Sequence, residues 1–178
     1  GSVPDLSAES RVGDLAVILY ASQFGNTAAV PPSGWTRYLV PNASGRSGYT
    51  AILRVTDPAQ TQNVHVTGPT AGGAREKALL LVLSGVKSHT VHPWQAAVPV
   101  LDGSRPAVVA SQMHGNNRTP LADWRAAGSG WASGGHSDQA SWSAMLADLV
   151  TTVPAGASAL AWTWIDLEPD PAAPPEVE

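Results

Sequence analysis

The sequence predicts an all-β protein, a two-sheet antiparallel β-sandwich that is jelly-roll-like and built from two pseudo-repeated halves. Three observations carry this. Short apolar or alternating runs recur along the chain, each bounded by Gly, Pro, Asn or Asp. Charged residues make up only 13% of the 178, about half the usual share, so Ser, Thr, Asn, Gly and Ala must cover the surface. No segment supplies the pair of amphipathic crossover helices that a parallel α/β fold requires.

The elements follow in order. Asp14–Tyr20 (DLAVILY) is a continuous apolar run, the pattern of a buried strand, and a turn-rich loop through Gly25-Asn26 and Pro31-Pro32-Ser33-Gly34 follows it. Trp35–Val40 and Tyr49–Thr56 alternate and are joined by the turn residues Pro41-Asn42-Ala43-Ser44-Gly45. Asn63–Thr67 alternates strictly, and Ala78–Ser84 is again continuous and apolar. Pro106–Met113 and Ala157–Leu167 complete the clear strands. The stretch His89-Thr90-Val91-His92-Pro93 reads as an irregular connection.

Ser137–Val150 is ambiguous. Trp142, Met145, Leu146 and Leu149 fall at helical spacing with Asp138 as a cap, whereas Trp142, Ala144 and Leu146 would share one face of a strand. An internal repeat decides for the strand. Ala21-Ser22-Gln23 recurs as Ala110-Ser111-Gln112, an offset of 110 − 21 = 89, and Trp35 and Trp124 differ by the same 89. Tyr49–Leu53 then matches Trp142–Leu146 at 142 − 49 = 93. Two such halves cannot each close a core alone; paired across a pseudo-twofold, each completes the other's apolar face.

Composition bounds the function. The net charge of −4 offers no positive field for phosphates, which excludes nucleic acid as a natural partner. Without cysteine there are no disulfides, thiolate metal sites or cysteine nucleophile. The longest apolar run, Ala78–Leu83, is far too short to span a bilayer, so no membrane insertion is expected. Residues 1–2 read as a tag remnant, 3–168 as a single sandwich domain, and 169–178 as a Pro-rich acidic tail or linker of a longer protein.

The succession GDLAVILY, SGWTRYLV, YTAILRVT, NVHVTG and ALLLVLSGV resembles a β-sandwich module of actinobacteriophage minor tail and tail-fibre proteins. The second half fits the same pattern through ADWRAAGSGWASGG, SWSAMLADLVTTVPAGA and SALAWTWIDLEP, so the resemblance covers Val12 to Pro169. It implies a virion structural or host-attachment role and no enzymatic activity, and it brings no catalytic residues. The chain departs from the pattern in its extra aromatics, Trp131, Trp162 and Trp164, and in the polar loop Gly115-Asn116-Asn117-Arg118.

The chemistry-bearing residues support the same expectation. There is no Gly-x-Ser-x-Gly elbow, and Ser133 and His136 are merely neighbours in a Gly-rich stretch. The acids Asp14, Asp57, Asp102, Asp148 and Asp166 read as turn or strand-end residues, leaving Asp123 and Asp138 as the least unsuitable carboxylate pair for glycoside hydrolysis. His89 and His92 lack a third ligand nearby, and no Asp-x-Asp cluster points to calcium. No catalytic residue, metal or cofactor is therefore expected.

Tryptophan is the functional lead, with seven against a single Phe. Trp35, Trp124 and Trp142 occupy repeat-related positions and read as core anchors. Trp162 and Trp164 share one face of the last strand; they are core if both its faces are buried. Trp94 and Trp131 lie in runs rich in Gly, Ser, Pro and His and read as loop indoles able to stack on a sugar or anchor a protein contact. The expected ligand-binding set is Trp94, His114, Asn116, Asn117, Trp131, His136 and Asp138, on loops at one end of the sandwich. The expected role is non-catalytic attachment of a phage tail to host cell-envelope polysaccharide or surface protein, beside other tail proteins. Two alternatives stand: a purely structural oligomerisation domain, such as a homotrimer, and a carbohydrate-binding module of a secreted bacterial hydrolase.

Overall fold

The computed structural model describes residues 3, 5–22, 30–39, 47–66, 76–115, 123–134 and 142–172. Two antiparallel sheets pack face to face. The first contains β1 (Leu15–Ser22), β2 (Thr36–Leu39), β3 (Ser47–Arg54) and β4 (Glu76–Leu83), in the order β2-β3-β1-β4. The second contains β5 (Val86–Gln95), β6 (Ala107–Gly115), β7 (Trp131–Gly134), β8 (Trp142–Val150) and β9 (Ala161–Pro169), in the order β5-β9-β6-β8-β7. Each half of the chain thus builds one sheet. Ser84-Gly85 carries the chain from the first to the second.

The repeat reappears as topology. β1, β2, β3 and β4 occupy the ladder positions of β6, β7, β8 and β9, and β5 is an extra edge strand. The ambiguous stretch is therefore a strand, β8. Residue by residue, the matches do not hold. Ala21 pairs with Gly48 and Ala110 with Ala147. The sequence offset of 93 would carry position 48 to 48 + 93 = 141, six short of 147. An even slip keeps every side chain on its face while changing the rungs.

Continuous apolar runs form strands here because both faces of each sheet are covered. Leu15, Val17, Leu19 and Ala21 face the second sheet, against Val108, Ala110, Met145, Ala147, Ile165 and Leu167. Ile18 and Tyr20 face outward, yet they are buried under Val3, Val64 and Val66. The outer face of the second sheet is covered likewise: Ala107, Val109, Trp162 and Trp164 lie beneath Trp124, Leu101, Val153 and Ala157. Burying a large aliphatic side chain is worth about 1.5–3 kcal/mol, more than the roughly 1–2 kcal/mol spent fixing one residue's backbone. A strand buried on both sides collects that surplus at every position, which suits β1 and β6 to the sheet centres.

Three expectations are corrected. Val86–Gln95, including His89–Pro93, is an edge strand rather than an irregular connection. Its ladder with β9 shifts register between His92 and Gln95, around Pro93, since proline cannot donate to a ladder and is tolerated at edges and bulges. Asn63–Thr67 is not a sheet strand: Asn63 has φ 49°, and Val64 and Val66 cap the outer layer instead, while Thr67 lies outside the described residues. Trp131 begins strand β7 rather than lying in a loop. At the C-terminal end, β9 runs through Pro169, and the Asp170 N–H donates to the Gly85 carbonyl.

Candidate functional site

The ladders fix which strand ends lie together. Ser22, Ser47 and Glu76 are aligned at one end of the first sheet, and Gly115 and Trp142 at one end of the second. Gly48 abuts Trp94 across the sandwich near these ends, and Thr50 meets Thr163 further in. Arg54, at the far end of β3, donates to the carbonyl of Val86 at the start of β5. The two sets of ends therefore coincide. Segments 23–29, 40–46, 67–75, 116–122 and 135–141 all attach to strands at this one end.

The expected binding residues separate into three groups. Asn116, Asn117, His136 and Asp138 lie outside the described residues, on two of the segments joined to this end. His114 lies in β6, opposite Ser143 and next to the terminal pair. Trp94 and Trp131 are corrected. Trp94 is in β5, only 4% exposed, with its indole against the Gly48 backbone. Trp131 is half-buried, packed on the inter-sheet core from the edge strand. Neither is an exposed loop indole: the Gly, Ser, Pro and His around them belong to edge strands, whose sparse apolar pattern resembles a loop. Of the seven expected residues, His114, Trp94 and Trp131 are among those described, and the two indoles serve the core.

Beneath that end, buried polar atoms that lack partners among the described residues include two on the inner face and the Trp162 Nε1 on the outer face. The Trp94 Nε1 donor and the Gln112 Oε1 acceptor are both buried on the inner face without a hydrogen bond. Leaving such a group unsatisfied costs about 1–3 kcal/mol.

The remaining tryptophans are structural where described. Trp162 is wholly buried and Trp164 nearly so, because β9 lies between β5 and β6 and both its faces are covered. Trp124 stands 5.6 Å from Trp162, ring centroid to centroid, and its Nε1–H donates to Ser111 Oγ at 2.7 Å. Trp35 is partly buried on the outer layer of the first sheet.

The titratable groups form short local pairs. His92 Nε2 is 2.7 Å from Asp166 Oδ2, and its ring stacks on Trp164 at 4.5 Å. The side-chain hydrogen bonds of Arg125 hold the Asp123 carboxyl below its usual range, and the same contacts raise the Arg125 guanidinium. Asp123 is thus committed to Arg125, and its suggested partner Asp138 lies outside the described residues. His89 is held below the usual 6.5 by partial burial and then by the charge of Arg54. Among the described residues, no group of three or more His, Asp or Glu is arranged to hold a metal.

Sequence reading misplaced Asp148 and Asp166 at strand ends; both lie within strands. Asp148 is 5% exposed and lines a cavity of about 600 Å³ on the outer side of the second sheet. A carboxylate amid Met145, Leu146, Ala147 and Leu149 was the available signal, since an isolated acid in a buried strand needs a local reason. Comparison of the chain with protein-family models, curated proteins and solved structures finds no match.

Proposed function

We propose that the protein is a non-catalytic attachment module of a phage tail, which uses the loop-bearing end of the sandwich to contact host cell-envelope glycan. The observation that carries this reading is the convergence of five interstrand segments on one end of a rigid two-sheet scaffold. Contact surfaces concentrate on loops held by such frameworks, because loops vary without disturbing the core. Asn116, Asn117, His136 and Asp138 supply amide, imidazole and carboxylate groups suited to hydroxyls.

The sequence resemblance to actinobacteriophage tail modules supplies the setting, a virion tail outside the cell. The secreted carbohydrate-binding module shares the chemistry and differs in what it is fused to. Immobilised domain titrated with purified actinobacterial envelope polysaccharide tests the reading. Saturable binding by a monomer supports attachment. A stable trimer by light scattering that binds no polysaccharide replaces it with a structural assembly role.

A further inference from the structure

We propose that the cavity over β8 is a second site, independent of the loop-bearing end, which accepts a primary ammonium carried on a short apolar stem. The cavity, about 600 Å³, is lined by Trp124, Arg125, Ser129, Asp148, Val150 and Pro154 among others. That volume lies in the range of small-ligand pockets, about 300–1,000 Å³.

Asp148 defines its chemistry. The carboxylate is almost wholly buried, yet its hydrogen-bond partners are neutral. Ser129 Oγ, whose single proton also faces the Ala126 carbonyl at 2.8 Å, lies 3.1 Å from Oδ2, and the Leu149 N–H donates to Oδ1 at 2.8 Å. Two carboxylate oxygens offer about four acceptor positions, so capacity remains. No ion pair involving Asp148 occurs among the described residues. Arg125, the cavity's one cation, feels Asp148 only through space, and its hydrogen bonds go elsewhere. Nε and Nη2 fork onto Asp123 at 3.0 and 2.8 Å, and Nη1 donates to the Trp131 carbonyl at 2.6 Å. With Arg125 committed to Asp123, Asp148 has no hydrogen-bonded cation among the described residues.

The site is also closely built. Gly130 has φ 81°, and a Cβ there would collide with the Asp148 carboxylate, so a larger residue must displace that side chain. Burying an unpaired charge is costly, and a donor cation entering from the cavity relieves that cost. A divalent metal fits poorly, since calcium takes about 6–8 oxygen ligands and a single carboxylate lines this cavity. The apolar walls, Val150, Pro154 and Trp124, suit an alkyl or ring stem. A lysine side chain of a partner protein and an amino sugar both present this chemistry.

The test is an NMR titration of the intact chain, following the Trp124 indole N–H and the Ser129 amide, with n-butylammonium and with n-butanol. Saturable shifts are expected for butylammonium, with butanol at least about tenfold weaker, a difference typical of a charge-assisted hydrogen bond. Asp148→Asn should weaken butylammonium by a similar factor. N-acetyl-lysinamide against glucosamine then tells a protein partner from an amino sugar. Equal response to the amine and the alcohol, or no response to either, overturns the proposal. That comparison uses only the wild-type chain, so it decides even if the Asn variant misfolds. An Asn variant that folds and binds the amine undiminished overturns it too.

Discussion

Thr50 and Thr163 meet hydroxyl to hydroxyl at 3.0 Å inside the sandwich, one from each sheet and both wholly buried. Thr163 also donates to the carbonyl of His92 at 2.7 Å, which uses its only proton, so Thr50 is the donor between them. The chain His92–Thr163–Thr50 is a polar pin through a largely apolar interface.

Thr163→Val removes the acceptor of the buried Thr50 hydroxyl and a donor to the part-buried His92 carbonyl. It should destabilise by about 1–3 kcal/mol in urea unfolding, the cost of unsatisfied buried polar groups. Adding Thr50→Val should recover part of that loss, because it removes one orphan. If the two losses simply add, the pin is not a coupled unit.

Gly130→Ala should cost more than Gly128→Ala. Both positions have positive φ, 81° and 78°, but nothing lies within 4 Å of a Cβ at Gly128. Left-handed backbone alone costs about 1–2 kcal/mol; the collision with Asp148 adds overpacking strain of about 1–3 kcal/mol. Matched thermal or urea unfolding of the pair measures the difference, and equal losses would refute the tight passage.

Trp131→Ala should lower stability by about 2–4 kcal/mol, below or within the range for a fully buried aromatic. It should leave loop-end binding unchanged once the protein is kept folded. Loss of binding at unchanged stability would return Trp131 to the contact surface.

Stability should fall in two acid steps. The folded protein resists protonating His89, whose value lies below 6.5, so the unfolded chain binds the extra proton. The contribution is complete above 6.5 and is lost as pH falls through the folded value. The lowered carboxyls of Asp102, Asp123 and Glu168 hold their contribution above their usual 3.8 to 4.5 and lose it at lower pH still. His89→Gln should flatten the first step, which sets in as pH falls below 6.5, and leave the second. An unchanged first step in the variant would assign it to another group.

The fold was legible where apolar pattern and burial agree. DLAVILY, ALLLVLS and the run ending in TWIDL were read as strands because continuous apolar residues need cover on both faces, and the outer layers supply it. The repeat was legible as order but not as register, since a six-residue slip leaves the in–out alternation intact. β5 was hidden by two histidines and a proline, which an edge strand tolerates and a central strand would not. Trp94 was misread for the same reason: its cover comes from Gly48, 46 positions earlier, and no local pattern records that. Asp148 reads as a turn or strand-end acid because its neighbours Ser129 and Gly130 lie nearly twenty positions earlier, beyond any local pattern.

The most direct measurement compares two charge-and-polarity variants in binding to the envelope polysaccharide. One carries Asn116→Ala, Asn117→Ala, His136→Ala and Asp138→Ala at the loop-bearing end; the other carries Lys87→Glu and Arg105→Glu at the opposite end. The first should lose at least about tenfold in affinity, some 1.4 kcal/mol, with its melting temperature unchanged, while the second binds as the wild type does. Undiminished binding by the first variant, or loss confined to the second, would contradict the account.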